Sequence, residues 1–259
     1  MRRESSLAPR RKPSSRLSWA VPVTLGATAI ALGIAMVLLP LYEVAAMRGL
    51  ASDARADDGS VDLAVVADEH PEAKSWLTVL GAGIDLPVAQ ATDDTPEWFL
   101  RHSLDGTWSV AGTPFIDHRT FGDATHVIVY GHHLSLTGGS FSEIFDTWRQ
   151  DRFDAVLSEG AVWQTSSGGS TQLQALCALE VDADYTPIQV FAWTSIDDYR
   201  SWLHDLAASA SARAAGWEEL AGTATRDVTL VTCSSTYSGQ RGRCLVILVA
   251  TDAMQYTNI

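Results

Sequence analysis

The chain has 259 residues, of which 46% are hydrophobic and 19% are charged, and its formal net charge is −13. This composition excludes a wholly disordered chain, and the length suffices for a membrane anchor plus one substantial domain. Beyond residue 18 the chain holds 12 basic and 30 acidic residues. An acidic body of this kind argues against nucleic-acid binding, which depends on neutralising phosphates.

The first predicted elements are a basic tail over residues 1–18 and an uncharged apolar span over residues 19–41. The span is long enough to cross the hydrocarbon core of a bilayer. The arginines before it predict a cytoplasmic N-terminus, with the rest of the chain outside the cell membrane. A cleaved signal peptide is the alternative, because Val44-Ala45-Ala46 resembles a cleavage site. The length of the apolar run favours an uncleaved single-pass anchor.

After the span, residues 42–70 are expected to form a linker or an N-terminal helical segment, with a break near residues 52–60. One folded domain is predicted over residues 71–259. Short apolar runs separated by turn signals predict its strands, namely 76–80, 84–88, 109–115, 126–130, 161–165, 172–181 and a closing pair within 227–249. A helical turn is predicted at 97–102, a helix at 139–154 capped by Ser140, and a long helix at 195–214 capped by Ser195.

Many short strands with one or two inserted helices predict a mainly β domain, either a barrel or a sandwich. The chain contains three cysteines, Cys177, Cys233 and Cys244. Cys177 and Cys244 lie in apolar runs and are expected to be buried small hydrophobes, although a disulfide between them stays open.

Cys233 differs from the other two because it ends a β-branched strand and polar residues follow it at once. Arg243 opens the next apolar strand, so pairing of the two strands would place a thiol beside a fixed positive charge. A nucleophilic cysteine also needs a base, and His132 at the end of another β-branched run is the best candidate. The alternative is a structural cysteine, which is the usual fate of a lone cysteine.

The histidines are better suited to acid–base chemistry than to metal binding, because no His, Cys or Asp set has zinc-site spacing. His133 adjoins His132, and His126 and His118 are weaker candidates, while His204 is expected on a helix surface. Arg241 and Arg243 flank Gly242 and are either a solvated pair or a donor fork for an oxyanion.

Three motifs occur in a recognisable order after the N-terminal anchor: Tyr130-Gly131-His132, Thr229-Leu230-Val231-Thr232-Cys233 and Arg243. With these motifs the chain resembles the sortases, which are membrane-anchored cysteine transpeptidases of Gram-positive cell surfaces. Class B is the most similar, because its arginine follows the cysteine by ten positions, which favours Arg243 over Arg241. The resemblance extends over roughly residues 70–250.

The resemblance implies a closed β-barrel of about eight strands, with an N-terminal helical segment and a long helix before the last two strands. It implies catalysis by His132, Cys233 and Arg243, without a metal or organic cofactor. Substrate contacts are implied for Ile188, Thr232 and Leu100. The expected partners are secreted proteins with a C-terminal sorting signal, and an acceptor amine of peptidoglycan or a pilin lysine.

The chain departs from the class B pattern at three places. Ser234-Ser235 stands where an acidic residue often follows the cysteine, Val231 stands where serine is frequent, and Ala183 replaces a threonine of the substrate loop. These changes concern substrate preference more than chemistry. Two other functions stay open, an exported Cys/His hydrolase of cell-wall peptides and a non-enzymatic surface adaptor.

Overall fold

The computed structural model describes residues 20–56, 60–135, 137–167, 169–234 and 240–251. The chain divides into two compact units, Met1–Leu39 and Pro40–Ile259. The predicted domain boundary at residue 71 is not tested by this division and stays a prediction.

The N-terminal helix α1 runs over Ala20–Asp53, with Pro40 inside it. Pro22–Asp53 is apolar and long enough to cross a membrane, a property that signal sequences share. The helix therefore continues beyond the span predicted at residues 19–41. It ends close to the break expected near residue 52.

Eight strands form a closed barrel in the order β5-β1-β2-β3-β4-β8-β9-β6, and β6 returns to pair with β5. The short strand β7 pairs with β6 outside this ring. The barrel of about eight strands expected from the sequence is therefore confirmed. The strands are β1 Ala73–Val79, β2 Ile84–Gln90, β3 Phe115–Ile116, β4 His126–Tyr130, β5 Ala161–Thr165, β6 Ser170–Asp182, β7 Ala212–Arg213, β8 Ala224–Cys233 and β9 Gly242–Thr251.

The remaining helices are α2 Leu63–Glu69, α3 Gln150–Leu157, α4 Ile196–Ser209 and α5 Trp217–Thr223. Short 3₁₀ turns cover Leu80–Ala82, Trp98–Leu100 and Ser142–Ile144. Helix α4 is the long helix predicted before the last two strands, and Ser195 caps it by accepting a hydrogen bond from the Asp198 amide at 3.1 Å. It ends before the predicted residue 214, because the chain there forms β7.

Alternating side chains separate the barrel into an interior and an outer face. On β4, Val127 and Val129 belong to the interior cluster, whereas Ile128 packs in a second cluster with residues of α4. On β8, Val228 and Leu230 point inward. The outer cluster, which covers β4, β8, β9 and β6, fixes which face of these strands is buried beneath α4 and its preceding loop.

Two sequence predictions fail between the strands. The segment predicted as a strand at 109–115 is mostly loop, and strand pairing begins at Phe115. The helix predicted at 139–154 is instead a 3₁₀ turn followed by α3. Ser140 does not cap a helix there, because it adopts a positive φ of 46°, a region that interrupts regular helix.

The loop at Ser109–Ala111 owes its shape to a carboxylate from helix α1. Glu43 accepts hydrogen bonds from the Ser109 hydroxyl at 2.9 Å, the Val110 amide at 3.3 Å and the Ala111 amide at 2.8 Å. Three donors converging on one carboxylate bind that loop to the C-terminal half of helix α1. Alternating hydrophobicity alone could not reveal this contact, since its partners lie 66 to 68 positions apart.

Replacing this carboxylate should loosen the loop. Glu43→Gln leaves one acceptor oxygen for three donors, so amide exchange at Val110 and Ala111 should accelerate by roughly tenfold, equivalent to ~1.4 kcal/mol for a charge-assisted bond. Hydrogen exchange followed by mass spectrometry on the full-length chain in detergent measures this. Glu159→Gln, at an exposed position, is the matched control. Equal exchange in both variants would contradict the docking role of Glu43.

Candidate active site

The candidate site forms where three neighbouring strands end or begin. Strand β8 pairs with β9 so that Cys233 lies opposite Arg243. On the other side, β4 runs parallel to β8 with Tyr130 opposite Val231. The Gly131 amide extends this ladder by donating to the Val231 carbonyl at 3.0 Å. His132, the next residue, is therefore level with Cys233, and the three residues form one row across the sheet.

All three positions of this row lie on the outer face of the barrel. Cys233 is two residues beyond Val231, and Arg243 is two residues before Leu245. Val231 and Leu245 both belong to the outer cluster, and Tyr130 packs against it. Since the side-chain period of a strand is two, the row shares their face. Neighbouring strands lie about 4.8 Å apart, so the backbones of His132 and Arg243 flank that of Cys233 at roughly one strand spacing on either side.

The His132 ring is held from one side by a main-chain carbonyl. Its Nε2 lies 2.7 Å from the Leu100 oxygen. Because a carbonyl can only accept, Nε2 carries the proton and Nδ1 is the nitrogen at which the neutral ring can take up another. Leu100, expected to contact substrate, therefore also orients this histidine through its backbone. His133 is placed differently, because its ring stacks on Phe145 at a centroid distance of 4.2 Å.

The backbone around His132 has little freedom. The Phe141 amide donates to the His132 carbonyl at 3.0 Å. The Phe141 ring, fully buried, lies against Gly131, where a Cβ would stand 2.5 Å from the ring. Glycine is thus required directly before the candidate base, for space rather than for an unusual φ angle. The motif Tyr130-Gly131-His132 has a packing reason as well as a chemical one.

Arg241 and Arg243 differ in burial and in hydrogen-bond partners. Arg243 is half-buried, and its Nη1 donates to the carbonyls of Gln240 at 3.1 Å and Gly242 at 3.0 Å. Arg241 is exposed and forms ion pairs with Asp182 and Asp184. This geometry favours Arg243 as the member of the row and gives Arg241 a place in a surface cluster.

The three cysteines differ in exposure. Cys177 and Cys244 are buried, whereas Cys233 is half-buried, and all three are free thiols. Burial raises the pKa of Cys177 and raises that of Cys244 to about 11, so neither is suited to act as a thiolate near neutral pH. The expectation that both are buried small residues is confirmed, and the possible Cys177–Cys244 disulfide is not formed.

The residues predicted to contact substrate occupy unequal positions. Thr232 alternates with Cys233 along β8 and is 2% exposed, so its side chain points away from the row. Its predicted contact could be made by its main chain alone. Ile188 is 5% exposed within the outer cluster. Its predicted contact with a sorting signal stays a prediction, as do the roles of the other site residues.

A charged group adjoins the row on the β4 side. The Tyr130 hydroxyl donates to Asp117 at 3.0 Å, and Asp117 also forms an ion pair with Arg119. Partial burial opposes ionisation of Asp117, but hydrogen bonds from Arg119 and Tyr130 outweigh it and lower its pKa. Burial and the Asp117 charge raise the pKa of Tyr130, so this phenol stays protonated and acts as a fixed donor.

His126, a weaker acid–base candidate by sequence, has a more elaborate environment than the sequence indicated. It lies at the start of β4 and forms a fully buried pair with Asp227 of β8, with Nδ1 2.7 Å from the carboxylate. The available signal was a pair of polar residues, His126 and Asp227, each opening an otherwise apolar strand segment. Among the described residues, no group of three or more His, Cys, Asp or Glu side chains could hold a metal ion.

Comparison of the whole chain with known proteins gives no match to a protein-family model and none to a curated protein. Solved structures do match. A mutant form of sortase B from Clostridium perfringens shares 20% identity over 73% of this chain and 86% of its own, with a TM-score of 0.61. The Staphylococcus aureus sortase B–substrate complex shares 20% identity over 72% and 83%, with a TM-score of 0.59.

A sortase B complexed with triglycine shares 18% identity over 80% of this chain and 96% of its own, with a TM-score of 0.63. The chain therefore has the sortase B fold. At such identities the likeness establishes the architecture and not the chemistry.

The close packing of Gly131 can be tested directly. Gly131→Ala should clash with the Phe141 ring, lower the free energy of unfolding by about 1–3 kcal/mol and shift the NMR signals of the His132 ring. Gly222→Ala, in α5 with open space around its Cα, should be neutral or stabilise by up to about 1 kcal/mol. Thermal unfolding and histidine NMR of the full-length chain measure both. An unperturbed His132 ring in Gly131→Ala would contradict the packing argument.

Proposed function

We propose that this chain is a sortase-type cysteine transpeptidase, similar to class B. It would cleave the C-terminal sorting signal of secreted proteins and transfer the protein to an amine of the cell wall or of a pilin. The observation that carries this proposal is the single row formed by Cys233 at the end of β8, Arg243 at the start of β9 and His132 two residues after β4. The sortase B fold and the apolar N-terminal helix support it.

In the first half-reaction, the Cys233 thiolate attacks the carbonyl carbon of the scissile peptide bond. An S–C bond forms, the C–N bond breaks, and His132 donates a proton to the departing amine. The product is a thioacyl-enzyme plus the released C-terminal fragment. The bond from Nε2 to the Leu100 carbonyl leaves Nδ1 as the nitrogen that exchanges this proton.

In the second half-reaction, an acceptor amine attacks the thioester carbon and loses a proton to Nδ1 of His132. The C–S bond breaks, and the thiolate of Cys233 is restored together with a new amide bond. The charges and protons balance over the two steps, and no cofactor is required.

Arg243 suits the stabilisation of the oxyanion in both tetrahedral intermediates. It lies opposite Cys233 in the β8–β9 ladder, and its Nη1 is oriented by two loop carbonyls. A preorganised cation at this place lowers the barrier without having to reorganise during the reaction. The loop over residues 183–193, which includes Ile188, would meet the apolar part of the sorting signal.

The proposed location follows from helix α1. The apolar helix would act as an uncleaved anchor, with the basic tail in the cytoplasm and the barrel outside the cell. The barrel would then meet secreted proteins as they leave the membrane. The acceptor is a peptidoglycan amine or a pilin lysine.

Substitution of the nucleophile and substitution of the base should have distinct effects on activity. Cys233→Ala should abolish the thioacyl adduct with a sorting peptide. His132→Ala should reduce transpeptidation by about 10²–10⁴-fold, the usual contribution of a positioned acid–base group. Mass spectrometry of the full-length chain in detergent, incubated with a panel of sorting peptides and amines, measures both.

His133→Ala is the matched control, since that ring stacks on Phe145 and should matter far less. If the two histidines exchange behaviour, the assignment of the base is wrong. Adduct formation followed by hydrolysis alone, even with excess amine, would favour a cell-wall peptide hydrolase. A thiol that reacts like any exposed cysteine and forms no adduct would favour a surface adaptor.

The oxyanion role predicts a difference between neighbouring arginines. Arg243→Ala should lower kcat by about 10²–10³-fold, as expected for loss of one oxyanion donor. Arg241→Ala removes an exposed ion pair with Asp182 and Asp184, and should leave kcat almost unchanged. Steady-state kinetics with a fluorogenic sorting peptide measures both, and equal losses would refute the choice of Arg243.

A further inference from the structure

Beneath the loop over residues 183–193 lies a buried histidine, His126, and each of its two ring nitrogens faces a hydrogen-bond acceptor. His126 and Asp227 side chains are both 0% exposed. Nδ1 of His126 lies 2.7 Å from Asp227 Oδ2, and Nε2 lies 2.9 Å from the Ile188 carbonyl oxygen. A carboxylate and a carbonyl both accept hydrogen bonds. Both ring nitrogens must therefore carry protons, and the ring is an imidazolium.

The charge is balanced within the same pocket. Asp227 also accepts from the Tyr199 hydroxyl at 3.0 Å and from the Thr229 hydroxyl at 2.9 Å. These bonds occupy the remaining acceptor sites of the carboxylate next to the imidazolium. A buried ion pair offsets its desolvation only when its remaining polar atoms are satisfied in this way.

The other groups near the ring come from several elements. Asp117 follows β3, and its charge favours the protonated ring. Arg226 on β8 and the thiol of Cys177 on β6 interact with Asp227. Three aromatic rings, those of Phe191, Trp193 and Trp202, pack around the imidazole at centroid distances of 5.8, 6.1 and 4.9 Å.

Burial opposes the charged form of His126. The charge and hydrogen bond of Asp227, with the Ile188 carbonyl, outweigh burial and raise the pKa of His126. The direction of this pKa shift agrees with the two-acceptor geometry, since both favour the protonated ring.

The loop over residues 183–193 is held by bonds from three separate elements. His126 of β4 donates to the Ile188 carbonyl, and Trp202 of α4 donates to the Pro187 carbonyl at 2.8 Å. Arg119 donates to the Gln189 side chain at 3.0 Å. The bond from His126 reaches the loop from the buried side, and its donor is the positively charged imidazolium.

We propose that the buried imidazolium of His126, paired with Asp227, is a positioning group that fixes the loop 183–193 at Ile188 and thereby shapes the surface that recognises the sorting signal. This inference rests on the proposed function for the identity of the ligand. The pair does not touch the reacting atoms. It acts on substrate recognition through the backbone of one loop residue.

The order of the loop over residues 183–193 should depend on pH in a defined direction. A raised pKa in the folded state means that the stabilisation is complete below the unfolded value of about 6.5 and is lost as pH rises through the folded value. Deprotonation would leave one acceptor facing a lone pair, which releases either Asp227 or the Ile188 carbonyl. Loop order should therefore decline on the alkaline side, and Asp227→Asn should move that decline to lower pH.

The charge state is measured first, without any substrate. NMR of the full-length chain in detergent, with ¹⁵N-labelled histidine, should show protons on both ring nitrogens of His126 at pH 8. A single protonated nitrogen there would overturn the proposal. This measurement is independent of transpeptidation, so it still decides the charge state should no sorting peptide react.

Kinetics then test the positioning role. In His126→Gln the side chain cannot donate hydrogen bonds to both Asp227 and the Ile188 carbonyl. KM for a sorting peptide should therefore rise about tenfold, which is the low end of the effect expected for losing one apolar recognition contact. Both kcat and the alkylation rate of Cys233 by a small reagent should change by less than about twofold.

Tyr199→Phe is the matched control, because it removes a bond to Asp227 but leaves the bond from His126 to Ile188. It should lower Tm without raising KM. A general loss of structure would instead raise KM in both variants, or lower kcat and alkylation together with it, and either result would overturn the positioning role. If the wild type forms no adduct with any peptide, the proposed function fails, and faster hydrogen exchange of residues 183–193 in His126→Gln would still support the loop anchor.

Discussion

The register between β4, β8 and β9 is the constraint on which the site depends. Parallel pairing of β4 with β8 and antiparallel pairing of β8 with β9 put His132, Cys233 and Arg243 level with one another. A slip of one residue on β8 would turn Cys233 into the barrel and bring Thr232 outward, since side chains alternate between faces. Apolar packing inside the barrel therefore also determines which side chains face outward in the row.

The sequence predicted most of the strands and the closing pair that places Cys233 opposite Arg243, because these depend on local patterns. β-branched runs marked β4 and β8, a continuous apolar run marked β9, and polar residues after Cys233 marked the end of a strand. The loop at Ser109–Ala111 escaped prediction because its donors are bound by Glu43, far away in the chain. Ser140 does not cap a helix, since it has a positive φ and forms an isolated β-bridge with His133, a contact that local capping preference does not reveal.

The outer face of the sheet carries two kinds of polar group with opposite surroundings. The row at one end is half-buried. The His126–Asp227 pair, near the other end of the same strands, is sealed beneath α4 and aromatic rings. Both histidines lie on the outer face and differ in their acceptors. His126 has two and is fixed as a cation, whereas His132 has one described acceptor and keeps a nitrogen for proton exchange.

The closing pair of strands determines when the row can first form during synthesis of the chain. Cys233 ends β8, but its neighbour Arg243 and the strand that seals β8 to β6 come later in the chain. A nascent polypeptide is made from its N-terminus, so the thiol emerges before the cation and the barrel wall that complete its surroundings. Partly synthesised chains that lack β9 are thus unable to assemble the row of His132, Cys233 and Arg243.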